Sequence, residues 1–136
     1  MILKRLGTVF LFLFLFFGSA YAEEAAPSLL TAQEARGLLT QEPDSILPLD
    51  VRTSAEYSGG HLQNAENIDF LAKNFQEKIS HLDRNKAFLL YCRTGRRSEA
   101  AARMLRKAGF NKVFDLKGGI RAWEEAGFPL EKAEGE

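Results

Sequence analysis

The hydrophobic pattern of the chain alternates between two kinds of segment. Short apolar runs predict buried strands at residues 46–51, 65–68, 87–91 and 112–116. Apolar residues at helical spacing predict helices over residues 32–39, 70–82, 98–108 and 120–126, with one further helical turn at 53–57. Strands and helices that alternate along a chain favour an α/β fold with a parallel sheet.

Two local signals bear on these elements. Thr31 and Glu34 have the spacing of a capping box, which predicts that the first helix begins at about residue 32. Pro48 weakens the prediction of a strand at 46–51, because proline has no N–H to donate to a neighbouring strand.

The first 22 residues have the pattern of a secretory signal peptide. Lys4 and Arg5 precede an apolar run at 9–17, and Ala20-Tyr21-Ala22 fits a small-residue cleavage site. The run is shorter than the ~20 residues that span a bilayer, so an uncleaved membrane anchor is the weaker alternative. We expect cleavage after Ala22 and an exported, periplasmic protein with no stable membrane association.

The rest of the chain is predicted to form one domain. Residues 23–30 are predicted to be an N-terminal tail with little order, residues 31–130 the folded domain, and residues 131–136 a C-terminal tail. A chain of 136 residues is long enough for one hydrophobic core.

Composition limits the possible functions. The 18 Lys and Arg residues equal the 18 Asp and Glu residues in number, so there is no basic excess of the kind that binds nucleic acid. The single cysteine excludes an intramolecular disulfide, and one cysteine with two histidines at these spacings does not predict a zinc site. We therefore expect no metal, no cofactor and no nucleic-acid partner.

The candidate nucleophile is Cys92, which follows the predicted strand at 87–91. In parallel sheets ligands bind beyond the carboxyl ends of the strands, and a helix is predicted to begin about six residues later. Helix N–H groups stabilise a thiolate, and Arg93, Arg96 and Arg97 add positive charge that would also attract an anionic substrate. The alternative is a buried structural cysteine, which the charged residues beside it disfavour.

Three other side chains are candidates near this edge of the sheet. Asp50 and Arg52 flank a strand end and are predicted to support the site as a charged network, the alternative being an ordinary surface ion pair. His61 could pair with Cys92 as in a cysteine protease, but a structural role beside a glycine turn is favoured.

Four segments resemble, in order along the chain, the motifs of the rhodanese-like sulfurtransferases. They are Leu49-Asp50-Val51-Arg52, Gly60-His61-Leu62, Cys92-Arg93-Thr94-Gly95-Arg96-Arg97-Ser98 and Leu116-Lys117-Gly118-Gly119-Ile120-Arg121-Ala122-Trp123. The chain departs from the family pattern at Asp69, where the family usually has proline.

The resemblance implies a three-layer fold, with a five-stranded parallel sheet between helices on both faces. It implies that the Cys92 thiolate takes sulfur from thiosulfate or a similar anionic donor and passes it to cyanide, a thiol or a protein acceptor. It places a substrate-binding cradle in the loop, with three supporting residues: the cradle comprises Arg93, Thr94, Gly95, Arg96 and Arg97, and the supporting residues are Asp50, Arg52 and Ser98. A non-enzymatic persulfide carrier, or an anion-binding interaction module on the same fold, is the alternative.

Loop length separates sulfur chemistry from phosphate chemistry. Related phosphatases and arsenate reductases have a Cys-x5-Arg loop, which has room for a tetrahedral oxyanion. In this chain four residues separate Cys92 from Arg97, and Ser98 stands where the longer loop would need arginine. The sequence therefore favours sulfur transfer.

Overall fold

The computed structural model describes residues 28–133, so the predicted signal peptide, residues 23–27 of the predicted N-terminal tail and residues 134–136 of the predicted C-terminal tail lie outside the described residues. The strands are Leu29–Leu30 (β1), Ile46–Asp50 (β2), Glu66–Asn67 (β3), Ala87–Tyr91 (β4) and Val113–Leu116 (β5). The helices are Ala32–Gln41 (α1), Ser54–Ser58 (α2), Phe75–Ser80 (α3), Arg96–Lys107 (α4) and Gly119–Glu125 (α5). Among the described residues, no helix combines the length and apolar character that crossing a bilayer requires.

The five strands form one sheet in the order β1-β5-β4-β2-β3. Every pair is parallel, and β4 lies at the centre between β5 and β2. All five residues of β4 are buried, as expected for a strand that is covered on both faces. The predicted α/β fold with a five-stranded parallel sheet is confirmed.

Helices cover both faces of the sheet and divide the core in two. On one face Phe75 and Ile79 of α3 and Leu105 of α4 pack with Leu90 and Cys92. On the other face α1 and α5 pack, through Ala35 and Trp123 among others, against Leu89 and Tyr91. Because side chains alternate along β4, Cys92 lies on the α4 face and Tyr91 on the opposite one.

Pro48 is accommodated because of where its nitrogen lies. The N–H of Val51 bonds to Tyr91 of β4, whereas the carbonyl of Asp50 accepts from Ile68 beyond β3. Backbone polar groups of successive residues point to alternate sides of a strand, so the Pro48 nitrogen points to the same side as the backbone of Asp50, toward β3. On that side β3 pairs only with Leu49 and Asp50. No ladder hydrogen bond is lost at the proline, so the predicted strand forms.

The structure corrects the helix predicted over residues 70–82. The helix begins only at Phe75, and residues 70–74 form turns. The N–H of Phe70 bonds to the carbonyl of Val51, and the carboxylate of Asp69 accepts from the N–H of Leu71. The first contact holds residue 70 at the end of β2, and the second engages the N–H of Leu71 in a local turn. The helix therefore cannot begin earlier.

The prediction of little order before residue 31 was wrong for Leu29 and Leu30. These two residues form β1 and pair with Asp115 and Leu116 of β5. The predicted C-terminal tail also starts in contact with the domain, since His61 and Glu131 exchange backbone hydrogen bonds of 2.8 Å.

Candidate active site

Cys92 stands at the carboxyl end of the central strand, at the start of a very short loop. Its side chain is buried, and the Sγ atom accepts a hydrogen bond from the N–H of Gly95 at 3.1 Å. Gly95 has φ 117°, a conformation that favours glycine, and it turns the chain directly into α4. Since α4 begins at Arg96, the helix starts closer to the thiol than the predicted six residues.

The surroundings of Cys92 lower its thiol pKa overall. Burial acts in the opposite sense and raises the pKa, but hydrogen bonds from the loop outweigh it. They come from the amide and hydroxyl of Ser98 and from the amides of Gly95 and Thr94. Of the two influences expected from the sequence, helix N–H groups and arginine charge, the N–H groups contribute most to the lowered pKa, together with the Ser98 hydroxyl.

The underside of the loop is held by the start of α5. The N–H of Ile120 donates to the carbonyl of Cys92 at 2.9 Å, and the N–H of Arg121 donates to that of Arg93 at 3.2 Å. Gly119 allows this close approach, because a Cβ there would lie 2.5 Å from the Cys92 carbonyl oxygen. The N–H groups at the start of α5 thus donate to the carbonyls of the loop, while the N–H groups of the loop face the sulfur.

Arg97 is held in place by a carboxylate on another element. Its two terminal nitrogens donate to the two carboxylate oxygens of Glu56, at 2.9 and 3.0 Å. Glu56 also closes the capping box of α2 with Thr53, and the hydrogen bonds from Arg97 are the main reason that its pKa falls to about 2. Glu56 is the main reason that the pKa of Arg97 is raised, and Cys92 raises it to a smaller extent. The guanidinium of Arg97 therefore links α2 to the thiol.

The remaining loop residues face solvent. Arg93, Thr94 and Arg96 are all exposed, while Ser98 on the first turn of α4 is fully buried. The two exposed arginines can meet an anion that approaches the loop, and Ser98 can meet only groups inside it. The structure therefore places Thr94, Gly95 and Arg97 of the predicted cradle beside the sulfur, and Arg93 and Arg96 at the exposed surface of the same segment.

Asp50 and Arg52 form a buried ion pair on the other face of the sheet. The Nη2 atom of Arg52 donates to Asp50 at 2.7 Å and to the carbonyl of Gly60 at 2.6 Å. Asp50 pairs in register with Tyr91, whose side chain faces away from α4. The pair supports the loop after β2, and the hydrogen bonds of its side chains involve neither Cys92 nor the cradle residues.

His61 has the structural role that was favoured from the sequence. Its Nδ1 atom lies 3.0 Å from the carbonyl oxygen of Tyr57, and its ring stacks on the Tyr57 ring with centroids 3.9 Å apart. Its Nε2 atom is 3.9 Å from the Glu131 carboxylate. The contacts of the histidine ring are thus with Tyr57 of α2 and Glu131 of the C-terminal segment, and the protease-like alternative finds no support.

Comparison with known proteins identifies the family. The family model of the Rhodanese-like domain matches residues 31–126, which is most of the described part. The chain belongs to the rhodanese-like domain family. The four motifs that suggested this resemblance all lie inside the matched range.

Relatives of the rhodanese-like domain differ in what they do. A sulfurtransferase of Allochromatium vinosum is 31% identical over 94 residues, which are 69% of this chain and 86% of that protein. A tRNA uridine(34) hydroxylase of an Enterobacter species is 32% identical over 111 residues, which are 74% of this chain but only 31% of that protein. The family match and the sulfurtransferase relative support sulfur transfer as the general activity.

A solved structure supports the same fold. The crystal structure of a rhodanese-related protein from Thermoplasma volcanium has a TM-score of 0.68 and 31% sequence identity. The match covers 79% of this chain and 100% of that one. The rhodanese-like fold class expected from the motifs is therefore confirmed.

Sequence reasoning missed three residues of this rhodanese-like site. Glu56 received no role, although its spacing from Thr53 matches a capping box. Gly119 belongs to the fourth motif, but its contact with the loop follows from the tertiary structure alone. Asp115, which is buried under α4 beside the loop, had no sequence signal beyond being an acid in a strand.

Proposed function

We propose that the protein is an exported sulfurtransferase that takes sulfur from thiosulfate, or a similar anionic donor, through a persulfide on Cys92. One observation carries the proposal: the sulfur of the only cysteine lies at the end of the central strand and is faced by N–H donors that lower its pKa. Such donors stabilise an anion on this atom, whether the anion is a thiolate or a terminal persulfide sulfur.

The proposed reaction has two steps. In the first, the Cys92 thiolate attacks the outer sulfur of thiosulfate, the bond between the two donor sulfurs breaks, and sulfite leaves with the bonding pair. In the second, cyanide or a thiolate attacks the outer sulfur of the persulfide, and the Cys92 thiolate is regenerated. With cyanide the product is thiocyanate, and no external oxidant or reductant is required.

The loop residues have distinct proposed roles. The amides of Thr94 and Gly95 hold the negative charge at the sulfur, as preorganised donors that need no rearrangement. Arg93 and Arg96 are exposed and would draw in the anionic donor and the sulfite that leaves. Arg97, which Glu56 holds, would stabilise the charge at the persulfide from a fixed position.

The loop geometry favours sulfur over phosphate. The helix starts at Arg96, so the turn between Cys92 and α4 contains three residues. One sulfur already lies at hydrogen-bonding distance from the loop amide of Gly95. A phosphate group would need further donors and a longer loop to enclose three oxygens.

The site of action and the partners are part of the proposal. The signal-like pattern of residues 1–22 supports export to the periplasm with cleavage after Ala22. A cycle that needs a single cysteine suits a chain with one thiol in an oxidising compartment. The proposed acceptor is cyanide, a small thiol or a protein thiol.

Intact mass measurement tests the chemistry directly. The mature protein should gain the mass of one sulfur atom on incubation with thiosulfate and lose it on addition of cyanide. Cys92→Ser should show neither change. A wild-type protein whose mass stays constant with thiosulfate would contradict the proposal.

Two further measurements separate the alternatives. Many thiocyanate molecules released per protein would support an enzyme, whereas a single release that is not repeated would indicate a persulfide carrier. An aryl phosphate that is hydrolysed at a comparable rate would instead indicate a phosphatase. The mass of protein isolated from the periplasm should correspond to a chain that begins at Glu23.

A further inference from the structure

Helix α4 leaves the β1 edge of the sheet uncovered. The helix packs mainly on β4 and β5, whereas β1 is the edge strand beside β5. Leu30 of β1 faces the opposite core, so the alternation of side chains turns its neighbour Leu29 toward the α4 side. Leu29 is 51% exposed, and Leu71 is the only other exposed large hydrophobic side chain among the described residues. The sheet beside α4 therefore keeps an accessible apolar side chain.

Leu29 forms part of the floor of a cleft that runs to the active-site loop. The cleft has a volume of about 510 Å³, with α4 as one wall and Thr94 and Gly95 at the loop end. The N–H of Gly95 also donates to the sulfur of Cys92 at 3.1 Å. A molecule held in this cleft would therefore lie against the loop that carries the nucleophile.

The rim of the cleft is cationic. It carries four exposed basic side chains, which are Arg96, Arg103, Arg106 and Lys117. Among the described residues, only Arg103 of these four is paired with a carboxylate, that of Glu99. Arg106 donates to the carbonyl of Val113, which is neutral and leaves the charge of the guanidinium uncompensated. Three of the four cations are therefore available to an anionic ligand.

The acids of the cleft cancel little of this charge. They are Glu99, which Arg103 engages, and Asp115 on β5. Asp115 is 6% exposed, its Oδ1 atom accepts no hydrogen bond from the described residues, and burial raises its pKa. Such surroundings disfavour the charged form of a carboxyl group. The cleft thus combines an excess of positive charge at its rim with an apolar side chain at its floor.

We propose that this cleft docks an acidic, partly apolar segment of the protein that accepts sulfur from Cys92. The inference deepens the proposed function and rests on it for the transfer step. Carboxylates of the segment would pair with the free cations, and an apolar side chain would cover Leu29. Docking would raise the effective concentration of the acceptor thiol at the loop. The acceptor thiolate would attack the outer sulfur of the persulfide, and the bond from that sulfur to Cys92 would break, with its electron pair returning to Cys92.

Fluorescence anisotropy of a labelled peptide tests the docking without any sulfur chemistry. The probe is a short glutamate-rich peptide with two leucines, and its control has glutamine in place of every glutamate. The acidic peptide should bind the mature protein at least about tenfold more tightly at low ionic strength. Most of this difference should disappear at about 1 M salt, where charges are screened within about 3 Å. Equal binding of the two peptides at low salt would overturn the inference.

Matched charge removals locate the binding. Arg106→Gln with Lys117→Gln removes two free cations from the cleft and should weaken binding of the acidic peptide about tenfold. Lys107→Gln with Lys112→Gln removes the same charge from exposed positions that line other cavities, and should weaken it less than about twofold. Leu29→Asn should weaken it about threefold at every salt concentration, because the lost contact is apolar. Equal losses in the two double variants would show an effect of net charge alone and refute the docking site.

Two further outcomes have a defined meaning. If the double variant with Arg106→Gln does not fold, Lys117→Gln alone decides, with an expected loss of about threefold in peptide affinity. Sedimentation of the wild type and the cleft variant tests for a second copy of the chain as the occupant. A dimer that the cleft variant abolishes, in a protein that does not bind the acidic peptide, would overturn the inference.

A cysteine at one end of each peptide tests the transfer step. Protein that carries the Cys92 persulfide should pass sulfur about tenfold faster to the acidic peptide than to the glutamine peptide at low peptide concentration. The cleft variant should lose this preference and keep its rate with 2-mercaptoethanol, a small neutral thiol. If no persulfide forms, the proposed function fails and the anisotropy measurement still decides the docking. A persulfide that passes to both peptides equally, with no difference in binding, would refute the docking site and leave the proposed function intact.

Discussion

Two loops leave neighbouring strands at the same edge of the sheet, and they handle charge in opposite ways. In the loop after β2, Asp50 and Arg52 neutralise each other in a buried pair, and Arg52 also donates to the Gly60 carbonyl. In the loop after β4, the charge-bearing atom is the sulfur of Cys92, which is faced by backbone amides, while the guanidinium of Arg97 beside it is already paired with Glu56.

The difference indicates which loop is scaffold and which carries chemistry. The Asp50 carboxylate and the Arg52 guanidinium bond to each other and to the Gly60 carbonyl, so their contribution is to fix the backbone. Amide donors that face one anionic atom stabilise whatever group occupies that position, including a transferred sulfur. Substitutions in the two loops should therefore affect different measurements.

The largest expected effect is on stability, from Asp50→Ala. It leaves the buried Arg52 guanidinium without its partner and should cost about 3–5 kcal/mol in the free energy of unfolding. Denaturant unfolding measures this cost, and the alkylation rate of Cys92 in the folded fraction should change less than twofold. The double variant Asp50→Leu with Arg52→Leu should recover part of the stability, because no buried charge remains unpaired. A loss below 1 kcal/mol would show that the pair is no stronger than a surface ion pair.

Gly119→Ala should affect both properties. The new Cβ would lie 2.5 Å from the backbone of Cys92 and Arg93, at a φ of +63°, so the loop must move. We expect a loss of about 2–3 kcal/mol in stability and at least a tenfold slower sulfur transfer.

The matched control is Gly127→Ala, which has φ +78° but no neighbouring atom within 4 Å of the new Cβ. It should cost about 1–2 kcal/mol from the backbone conformation alone and leave sulfur transfer unchanged. Equal activity losses in the two variants would show that the contact beneath the loop is unimportant.

The link between the two loops is the ion pair of Glu56 with Arg97, and its effect depends on pH. The folded-state pKa of Glu56 is lowered from 4.5 to about 2, chiefly by Arg97. Its contribution is therefore fully present above pH 4.5 and is lost as the pH falls toward 2. Glu56→Gln should cost about 1 kcal/mol at pH 7, and the cost should shrink as the pH is lowered to 3.

Glu34→Gln is the control for this prediction. Glu34 forms the equivalent capping box with Thr31, whose hydrogen bonds are the main reason that its pKa is lowered. The charge of Lys117 lowers this pKa least, so Glu34 has no counterpart to the Arg97 ion pair. Its substitution should therefore have the smaller effect in unfolding experiments at pH 7. A cost for Glu56→Gln that does not vary between pH 7 and pH 3 would refute the ion-pair account.

The sequence predicted the elements whose signal is local. All five residues of β4 are apolar, so its bounds were predicted without error, and the Thr31–Glu34 capping box located the start of α1. The segment at 70–74 failed because Phe70 and Leu71 fit a helical spacing while their N–H groups bond elsewhere. The strand β1 has only two residues, which is too short for any periodic pattern.

The same distinction applies to the candidate site. Cys92 and its cradle are contiguous in sequence, so a strand, a thiol and a helix start predicted their arrangement. The contact of Arg97 with Glu56 joins residues 41 positions apart, and the hydrogen bond from Ile120 to the Cys92 carbonyl joins α5 to the loop. Such pairings depend on the packing of α2 against α4 and of α5 against the loop, which no local pattern specifies.

The smallest expected effect is on binding of the anionic sulfur donor, and it comes from substituting an exposed arginine near the loop after β4. Arg96→Ala removes an exposed positive charge at the start of α4, directly after the loop that holds Cys92, without removing a buried contact. The KM for thiosulfate should rise about two- to fivefold with little change in kcat, because a surface charge mainly attracts the free anion. The effect should shrink at high salt, where such attraction is screened. Lys112→Ala removes the same charge at the opposite edge of the sheet, just before β5, and should leave the KM unchanged. Equal KM values for the two variants would mean that the cradle attracts its donor through the loop amides and Arg97 alone.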